Sequence, residues 1–364
     1  MASVYILSDN GKLSKKDEKL IFTQYDGNTT ILFPFKTESL VLMGNVSISG
    51  EALRLLTKYK ITTTLLSSNG RFNGKLTFGD SKNVFLRQKQ YRILDNPEES
   101  IKIAKSIVLG KIRNQISFMQ RIKRKNDFYS NSVTDTIEKT KFILSKASES
   151  NNIEELRGHE GNAARKYFEI FGMNIQPEWA VFKTRSKNPP RSNVNAVLSF
   201  LYTLLMYRIE SAIEAQGLDK CAGNLHVINY GRSALVFDLI EEFRSPIADT
   251  LCCSLFNLGT LKEDDFEQVE FSDTSDDNPI ELTSNIPDSS DEKNKDISST
   301  KGILLTKPGL KKVIAAFEAK MDSQVIYQPS GQKTAYKRII YEQASHYKRV
   351  INGEEAEYVS YYFK

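Results

Sequence analysis

The strongest constraint on the fold of this 364-residue chain is a change of hydrophobic period near residue 90. Up to residue 84, short runs rich in β-branched and aromatic residues alternate with turn signals such as Asp26-Gly27-Asn28 and Asn69-Gly70. This alternation is typical of strands joined by tight turns, and one helical pattern at residues 50–60 interrupts it. From Pro97 onward, apolar residues recur every three or four positions, which is the period of an amphipathic helix. The chain is therefore predicted to be an α+β protein.

Length and period together predict two domains, because single hydrophobic cores seldom grow far beyond about 250 residues. We expect a small β-sandwich-like domain at residues 1–84, a linker at residues 85–96 and a larger all-α domain at residues 97–364. Helical patterns in the second domain cover residues 134–145, 161–171 and 194–215, and the last is apolar on most of its circumference. That pattern suits a central buried helix, whose start Ser192 or Asn193 can cap.

Charge is distributed unevenly along the chain, although the net charge is only +5. Between Lys82 and Lys125, twelve Lys or Arg outnumber three Asp or Glu, whereas residues 272–300 carry eight Asp or Glu and two Lys. An acidic tract can cancel a basic surface in the total without covering it in space. The basic segment is therefore a candidate for phosphate contact, with a solvated helix face as the alternative. The tract 272–300 is poor in aromatic residues, and we expect it to be a mobile acidic insertion.

Composition excludes several classes of protein. The apolar share of 40% and the charged share of 26% are those of a soluble protein, and we find no apolar run of the roughly 18 residues that a membrane span requires. The N-terminal stretch lacks a basic segment followed by an apolar run, so no secretion signal is expected. Cys221, Cys252 and Cys253 form neither a disulfide framework nor a paired zinc motif. We therefore expect a cytoplasmic protein without membrane association.

Two acidic segments, each with a histidine, are the candidates for chemistry. In LRGHEGNAARKYF, Glu160 lies between glycines that permit close approach to a neighbour, and burying its carboxylate would be costly without a cation or donor. His226 precedes a predicted helix in which Asp238, Glu241 and Glu242 share one face. One imidazole with several carboxylates suits Mg²⁺ or Mn²⁺ better than structural zinc. A solvated acidic helix, with His226 as an ordinary loop residue, explains the spacing equally well.

Basic residues accompany these acidic segments. A proline-broken loop before the apolar helix and two arginines beside the second acidic segment place cations where phosphates could bind. A metal ion in that setting would polarise a phosphoryl oxygen during an in-line displacement. The nucleophile would be water for hydrolysis or a DNA 3′-hydroxyl for strand transfer. The candidate DNA contacts are Lys183, Arg185, Lys187, Arg191, Arg232 and Arg244.

Seven motifs, in order along the chain, resemble those of the CRISPR-associated endonuclease family, the catalytic subunit of the spacer-acquisition integrase. They are SLVLMGNVSISGEALRLL, TTTLLSSNGRFNGKL, AKSIVLGKIRNQ, LRGHEGNAARKYF, NPPRSNVNAVLSFLYTLL, GNLH and GRSALVFDLIEEFRSPIAD. The resemblance covers nearly the whole chain, sparing mainly residues 262–300. It implies an N-terminal β domain that dimerises and a C-terminal helical catalytic domain.

The resemblance also implies a site and a reaction. Glu160 matches the glutamate of the family's EG motif, His226 matches its histidine, and Asp238 and Glu241 match its paired acids. It favours Glu160, His226 and Glu241 as ligands of one Mg²⁺ or Mn²⁺ ion, with Asp238 binding the metal or orienting a ligand. The implied protein is a homodimer that joins a small companion protein and inserts short DNA duplexes into a CRISPR array by 3′-hydroxyl attack. The alternatives are a catalytically silent DNA-binding scaffold and a related transposon integrase.

Overall fold

The structure, a computed structural model, describes residues 2–68, 70, 72–78, 83–125, 130–186, 189–271 and 300–363. The chain divides into two compact units, one holding the residues up to about position 80 and the other holding most of the remainder. The predicted acidic insertion at 272–300 lies outside the described residues apart from Thr300, so its mobility stays a prediction.

The described strands of the N-terminal unit form one mixed sheet in the order β3-β2-β1-β4-β5-β6. They are β1 (Ala2–Lys16), β2 (Lys19–Gln24), β3 (Thr29–Leu32), β4 (Thr37–Ile48), β5 (Thr62–Leu66) and β6 (Phe72–Leu76). β4 pairs in parallel with both β1 and β5, and its register sets Ile48 opposite Leu13 and Leu40 opposite Thr63. Helix α1 (Gly50–Lys58) makes the crossover that the parallel pair β4–β5 requires.

The predicted β-sandwich-like arrangement is not confirmed, because the described strands make a single sheet. Its core is completed by α1, whose Leu55 and Leu56 are buried in one cluster with Leu13 and Leu40 of the sheet. Strand alternation shows that one face is buried but not whether a second sheet or a helix covers that face. The predicted helix at residues 50–60 is confirmed, and Ser49 caps it by accepting from the Ala52 amide.

Beyond residue 82 the described chain is mainly helical. The helices are α2 (Val84–Leu94), α3 (Pro97–Lys125), α4 (Ser130–Glu149), α5 (Ile153–Met173), α6 (Asn193–Ala215), α7 (Ala234–Phe243), α8 (Thr250–Asn257), α9 (Lys307–Asp322) and α10 (Tyr336–Asn352). A π-helical turn, Arg244–Asp249, joins α7 to α8. The strand pairs β7 (Phe266–Phe271) with β8 (Thr300–Leu305) and β9 (Gln324–Tyr327) with β10 (Gln332–Ala335) accompany them. The prediction of an all-α domain is therefore too simple.

The segment predicted as a linker, residues 85–96, is mostly helix α2, so that prediction is wrong. Asn83 caps α2 by accepting from the Leu86 amide at 3.1 Å. Gln90 is 1% exposed and donates to the carbonyl oxygens of Asp219 and Ala222 at 2.8 and 3.0 Å. A polar residue anchors this helix, and a search for apolar periodicity cannot detect such an anchor.

Helix α6 lies in the core of the helical unit, and most of its residues are buried. Ser192 caps its start by accepting from the Asn195 amide at 3.2 Å, which confirms the predicted cap. Contrary to our expectation from the sequence, α6 is long and apolar enough to cross a membrane, by length and composition only. Since 78% of its apolar window is buried inside the protein, we interpret it as a core helix.

Candidate functional site

Polar side chains from three helices and one loop meet inside the helical unit. Lys111 of α3 contacts Glu160 of α5 and Glu241 of α7, and His226 lies in the loop before α7. His226 Nε2 is 4.0 Å from Glu241 Oε1, and its Nδ1 is 2.7 Å from Asp238 Oδ1. The side chains of Lys111, Glu160 and Glu241 are 5%, 12% and 2% exposed. The structure thus brings together the four residues that the sequence singled out, and adds a lysine.

Helix α5 begins at Ile153, eight residues before the predicted start at position 161. Glu160 therefore lies within the helix. Asn152 caps it by accepting from the Glu154 amide at 2.7 Å. The predicted role of the flanking glycines is wrong for Gly158, where an added Cβ would meet nothing within 4 Å. His159, next to Glu160, lies 3.6 Å from Glu155 Oε1 of the same helix. Glu160 therefore enters the site without close backbone packing at Gly158.

Asp238 organises the loop that carries His226. The carboxylate is 0% exposed, and its Oδ2 accepts from the amides of Asn224 and Leu225 at 2.5 and 2.9 Å. Its Oδ1 accepts from the His226 amide at 2.9 Å and lies 2.7 Å from His226 Nδ1. Because a carboxylate accepts from a ring N–H, this contact assigns the imidazole proton to Nδ1 and leaves the Nε2 lone pair free to bind.

Lys111 lies between the carboxylates of Glu160 and Glu241. It forms an ion pair with Glu160 Oε1, and its Nζ is 2.7 Å from Glu241 Oε2. Burial alone would lower the pKa of Lys111, but the two carboxylates raise it, so the ammonium stays charged. Lys111 belongs to the basic segment 82–125 that the sequence offers for phosphate contact, and its burial between two carboxylates shows that this prediction is wrong for Lys111. Its position four residues after Ile107, within the apolar stripe, was the available signal.

The surroundings of Glu241 strongly favour its charged form. Burial alone would raise its pKa, but the charges of Arg244 and Lys111 lower it to about 2. Arg244 NH1 lies 3.2 Å from Glu241 Oε1, and its guanidinium stacks over the Tyr202 ring at 5.0 Å. At 7% exposed, Arg244 belongs to this buried charge cluster and not to the protein surface.

Glu242 follows Glu241 directly but faces different partners. It accepts hydrogen bonds from the Tyr358 hydroxyl, the Tyr361 amide and the Gln343 side chain. Burial raises the pKa of Glu242 to about 7, and these donors oppose the shift. The sequence predicts Asp238, Glu241 and Glu242 on one helix face. In the structure each carboxylate has different partners: backbone amides for Asp238, Lys111 for Glu241 and the Tyr358 hydroxyl for Glu242. Of the three, Glu241 is the one that meets Lys111 and faces His226 Nε2.

The remaining predicted DNA-contact residues differ in the solvent exposure of their side chains. Lys183 and Arg191 are exposed and Arg232 is partly exposed, so these three are accessible to phosphate. Arg185 is 7% exposed and donates to side chains in the first turns of α6, so its predicted role as a surface contact is wrong. Lys187 lies outside the described residues.

The donor set suits a hard divalent cation, although its present arrangement is closed. Among the described residues, no three His, Cys, Asp or Glu side chains are placed to hold a metal ion, and the Lys111 ammonium separates the two carboxylates. One ligand atom nevertheless lacks a carboxylate partner, because His226 Nε2 is 4.0 Å from Glu241 Oε1, too far for a hydrogen bond. Glu241 Oε2 has the ion pair with Lys111 Nζ at 2.7 Å but no hydrogen bond of good geometry to a described residue. Carboxylate oxygens with one imidazole nitrogen are ligands that Mg²⁺ and Mn²⁺ accept.

The chain is similar to known proteins in sequence and in fold. The sequence profile described as CRISPR associated protein Cas1 matches residues 4–274. A curated relative from Thermus thermophilus, named CRISPR-associated endonuclease Cas1 3, is 30% identical over 357 residues, which is 98% of this chain and 95% of the relative.

Solved structures share the fold. A casposase bound to an integration product has a TM-score of 0.78 at 19% identity, and the match covers 98% of this chain and 93% of that one. A Cas6-RT-Cas1–Cas2 complex has a TM-score of 0.77 at 21% identity, covering 99% of this chain and 36% of that one. These likenesses confirm a β-sheet unit followed by a helical unit. With the family profile and the relative that matches over nearly its whole length, they show that this chain belongs to the Cas1 family of CRISPR-associated proteins.

Proposed function

We propose that this protein is a divalent-metal-dependent DNA endonuclease and integrase that inserts short duplexes into a CRISPR array. The observation that carries the proposal is a buried cluster in which Lys111 contacts both Glu160 and Glu241, while Glu241 faces His226 and Asp238 orients that histidine. Two comparisons support the chemistry. The relative is named an endonuclease, and the casposase of similar fold was solved with an integration product.

Glu160, His226 and Glu241 would hold Mg²⁺ or Mn²⁺, which when bound polarises a phosphoryl oxygen and stabilises the charge of an in-line displacement. The chain's own groups prepare this site. Asp238 favours the His226 tautomer with its proton on Nδ1, which leaves Nε2 as the ligand atom. Arg244 NH1 is buried beside Glu241 and lacks a hydrogen bond to any described residue. It is therefore placed to donate to a phosphate oxygen that enters the site.

The proposal includes partners. Lys183, Arg191 and the partly exposed Arg232 would contact the phosphates of the double-stranded protospacer and repeat, which positions DNA without reading its sequence. The N-terminal unit would form a homodimer, and the dimer would join a small companion protein. The Cas1–Cas2 assembly of a protein with this fold supports that association. A cytoplasmic location agrees with a DNA substrate and stays a prediction.

The wild-type protein tests this function directly. Purified protein, with and without its companion, is incubated with a labelled short duplex and a repeat-bearing target in Mg²⁺, Mn²⁺ or EDTA. We expect joined products with either metal and none in EDTA. A catalytically silent scaffold would retard the duplex on a gel in every buffer and yield neither cut nor joined strands, and that result would refute the proposal.

Asp238→Asn is expected to weaken Mn²⁺ binding and to slow strand transfer about 10- to 100-fold, the usual effect of losing a group that orients a metal ligand. An amide cannot hold the His226 N–H as a carboxylate does, so the ring loses its fixed tautomer. Calorimetric titration with Mn²⁺ measures the change. Asp249→Asn is the control, because Asp249 is also buried but is held by the hydroxyls of Tyr167 and Tyr202. Equal losses in both variants would show a general structural effect.

A further inference from the structure

The last described residues of the chain fold back over two helices of the site. Helix α10 ends at Gly353, whose φ of 76° terminates it in the left-handed region. Residues 358–363 have no helix or strand structure, and we call them the strap. Tyr358, Ser360, Tyr361 and Phe363 are only 3% to 5% exposed. Irregular segments normally run over the surface, so a buried one must have specific partners.

On α3 the strap follows a row of residues spaced by four. The Ser360 amide donates to Ser106 Oγ at 3.2 Å, and its hydroxyl donates to the Ser106 carbonyl at 2.9 Å. The Phe363 amide donates to Asn114 Oδ1 at 3.0 Å. Between them, a Cβ added at Gly110 would lie 2.4 Å from the Ser360 Cβ. The strap therefore lies directly against the α3 backbone, at the residue before Lys111.

On α7 the strap reaches Glu242, the residue after Glu241. Glu242 accepts from the Tyr358 hydroxyl and the Tyr361 amide. Asn114 of α3 completes the connection, because its Nδ2 donates to the Glu242 carbonyl at 2.8 Å and to the Tyr361 carbonyl at 3.0 Å. A buried polar network whose members are satisfied rigidifies the elements that it joins. Here it joins α3, α7 and the strap.

We propose that the strap is a positioning element that holds α3 against α7 and thereby sets the distance between Lys111 and Glu241. The inference rests on the proposed function, since this distance matters for chemistry only if Glu241 is a metal ligand. Asn114 and Glu242 are then positioning residues, which act through their neighbours in sequence and helix and touch no substrate. The strap bonds to Asn114 and Glu242, one turn from Lys111 and one residue from Glu241, so it can be displaced without altering the two charged side chains themselves.

Gly110→Ala tests whether the strap docks on α3, because the melting temperature should change in opposite directions with and without the contact. Alanine stabilises a helix relative to glycine, so the melting temperature should rise if nothing lies on this face. With the strap docked, the new methyl collides with Ser360, and we expect the melting temperature to fall and residues 358–363 to lose hydrogen-exchange protection. Ser360→Gly removes the colliding atom, so the double variant G110A/S360G should recover. The matched double variant G110A/S360A keeps the collision and should not recover.

The site is probed by calorimetric Mn²⁺ binding and by strand-transfer kinetics. We expect Mn²⁺ affinity about tenfold weaker in G110A, a lower kcat with an unchanged KM for DNA, and unchanged DNA binding in EDTA. G110A/S360G should restore both the Mn²⁺ affinity and kcat.

A rise in the melting temperature of G110A, or a strap that keeps its hydrogen-exchange protection in G110A, would overturn the docking of the strap on α3. A released strap with wild-type Mn²⁺ affinity would overturn the positioning role. Wild-type protein that binds no Mn²⁺ would overturn the proposed function and the positioning role with it, while the melting temperatures still decide the docking.

Discussion

Glu241→Gln is expected to abolish both cutting and joining of DNA, with a rate loss of about a thousandfold, or roughly 4 kcal/mol of transition-state stabilisation. The reason is that the Glu241 carboxylate combines three properties of a metal ligand. It is buried, its pKa is lowered to about 2, and it faces His226 Nε2. Glutamine keeps the shape but loses the charge that would bind a cation. Single-turnover strand transfer at saturating Mn²⁺ measures the loss.

The matched control for this variant is Asp265→Asn. Asp265 is 4% exposed and is paired with a lysine, since Lys312 Nζ lies 2.9 and 2.7 Å from its two oxygens. Replacing it removes a buried, lysine-paired carboxylate outside the site. We expect its strand-transfer rate to match the wild type. If E241Q retained more than about a tenth of the wild-type rate, a loss of under roughly 1.4 kcal/mol, Glu241 would not be a metal ligand.

Lys111→Met is expected to destabilise the metal-free protein by about 3–5 kcal/mol, the usual cost of removing one partner of a buried ion pair. It leaves Glu160 and Glu241 close together in a buried site, with Arg244 NH1 beside Glu241 as the remaining cation. A bound divalent ion would replace the lost charge, and a ligand that binds only the native state stabilises it by mass action. Mn²⁺ should therefore stabilise K111M more than it stabilises the wild type, and should bind to it more tightly.

Urea unfolding in EDTA and in Mn²⁺ measures this difference. Lys102→Met is the control, because Lys102 lies on the same helix but is 65% exposed and paired with Glu99. An exposed pair of this kind contributes at most about 1 kcal/mol, so its loss should be small in both buffers. A K111M variant that is equally destabilised with and without Mn²⁺ would show that Lys111 and the metal do not compete for the carboxylates.

The main outline of the fold followed from local patterns. Strand alternation and helical spacing are properties of neighbouring residues, and they located α1 and the start of α6 within a few positions. The errors arose where contacts between distant residues decide the outcome. Gln90 anchors α2 through carbonyl groups about 130 residues away, and because local periodicity cannot show such contacts, it predicts a linker there. The alternation of β1–β6 likewise could not show that a helix, and not a second sheet, covers their buried face.

For the site, too, the sequence determines some features and only the tertiary structure determines the others. Motif chemistry selected Glu160, His226, Asp238 and Glu241 from the sequence, because residue type and order are written there. Only the tertiary structure assigned Asp238 to orient His226, turned Glu242 toward the strap and brought Lys111 between the carboxylates. Lys111 and Glu160 are 49 residues apart, and Asn114 and Tyr361 are 247 apart. No local period carries such pairings, because they exist only once the helices pack and the buried charges must find partners.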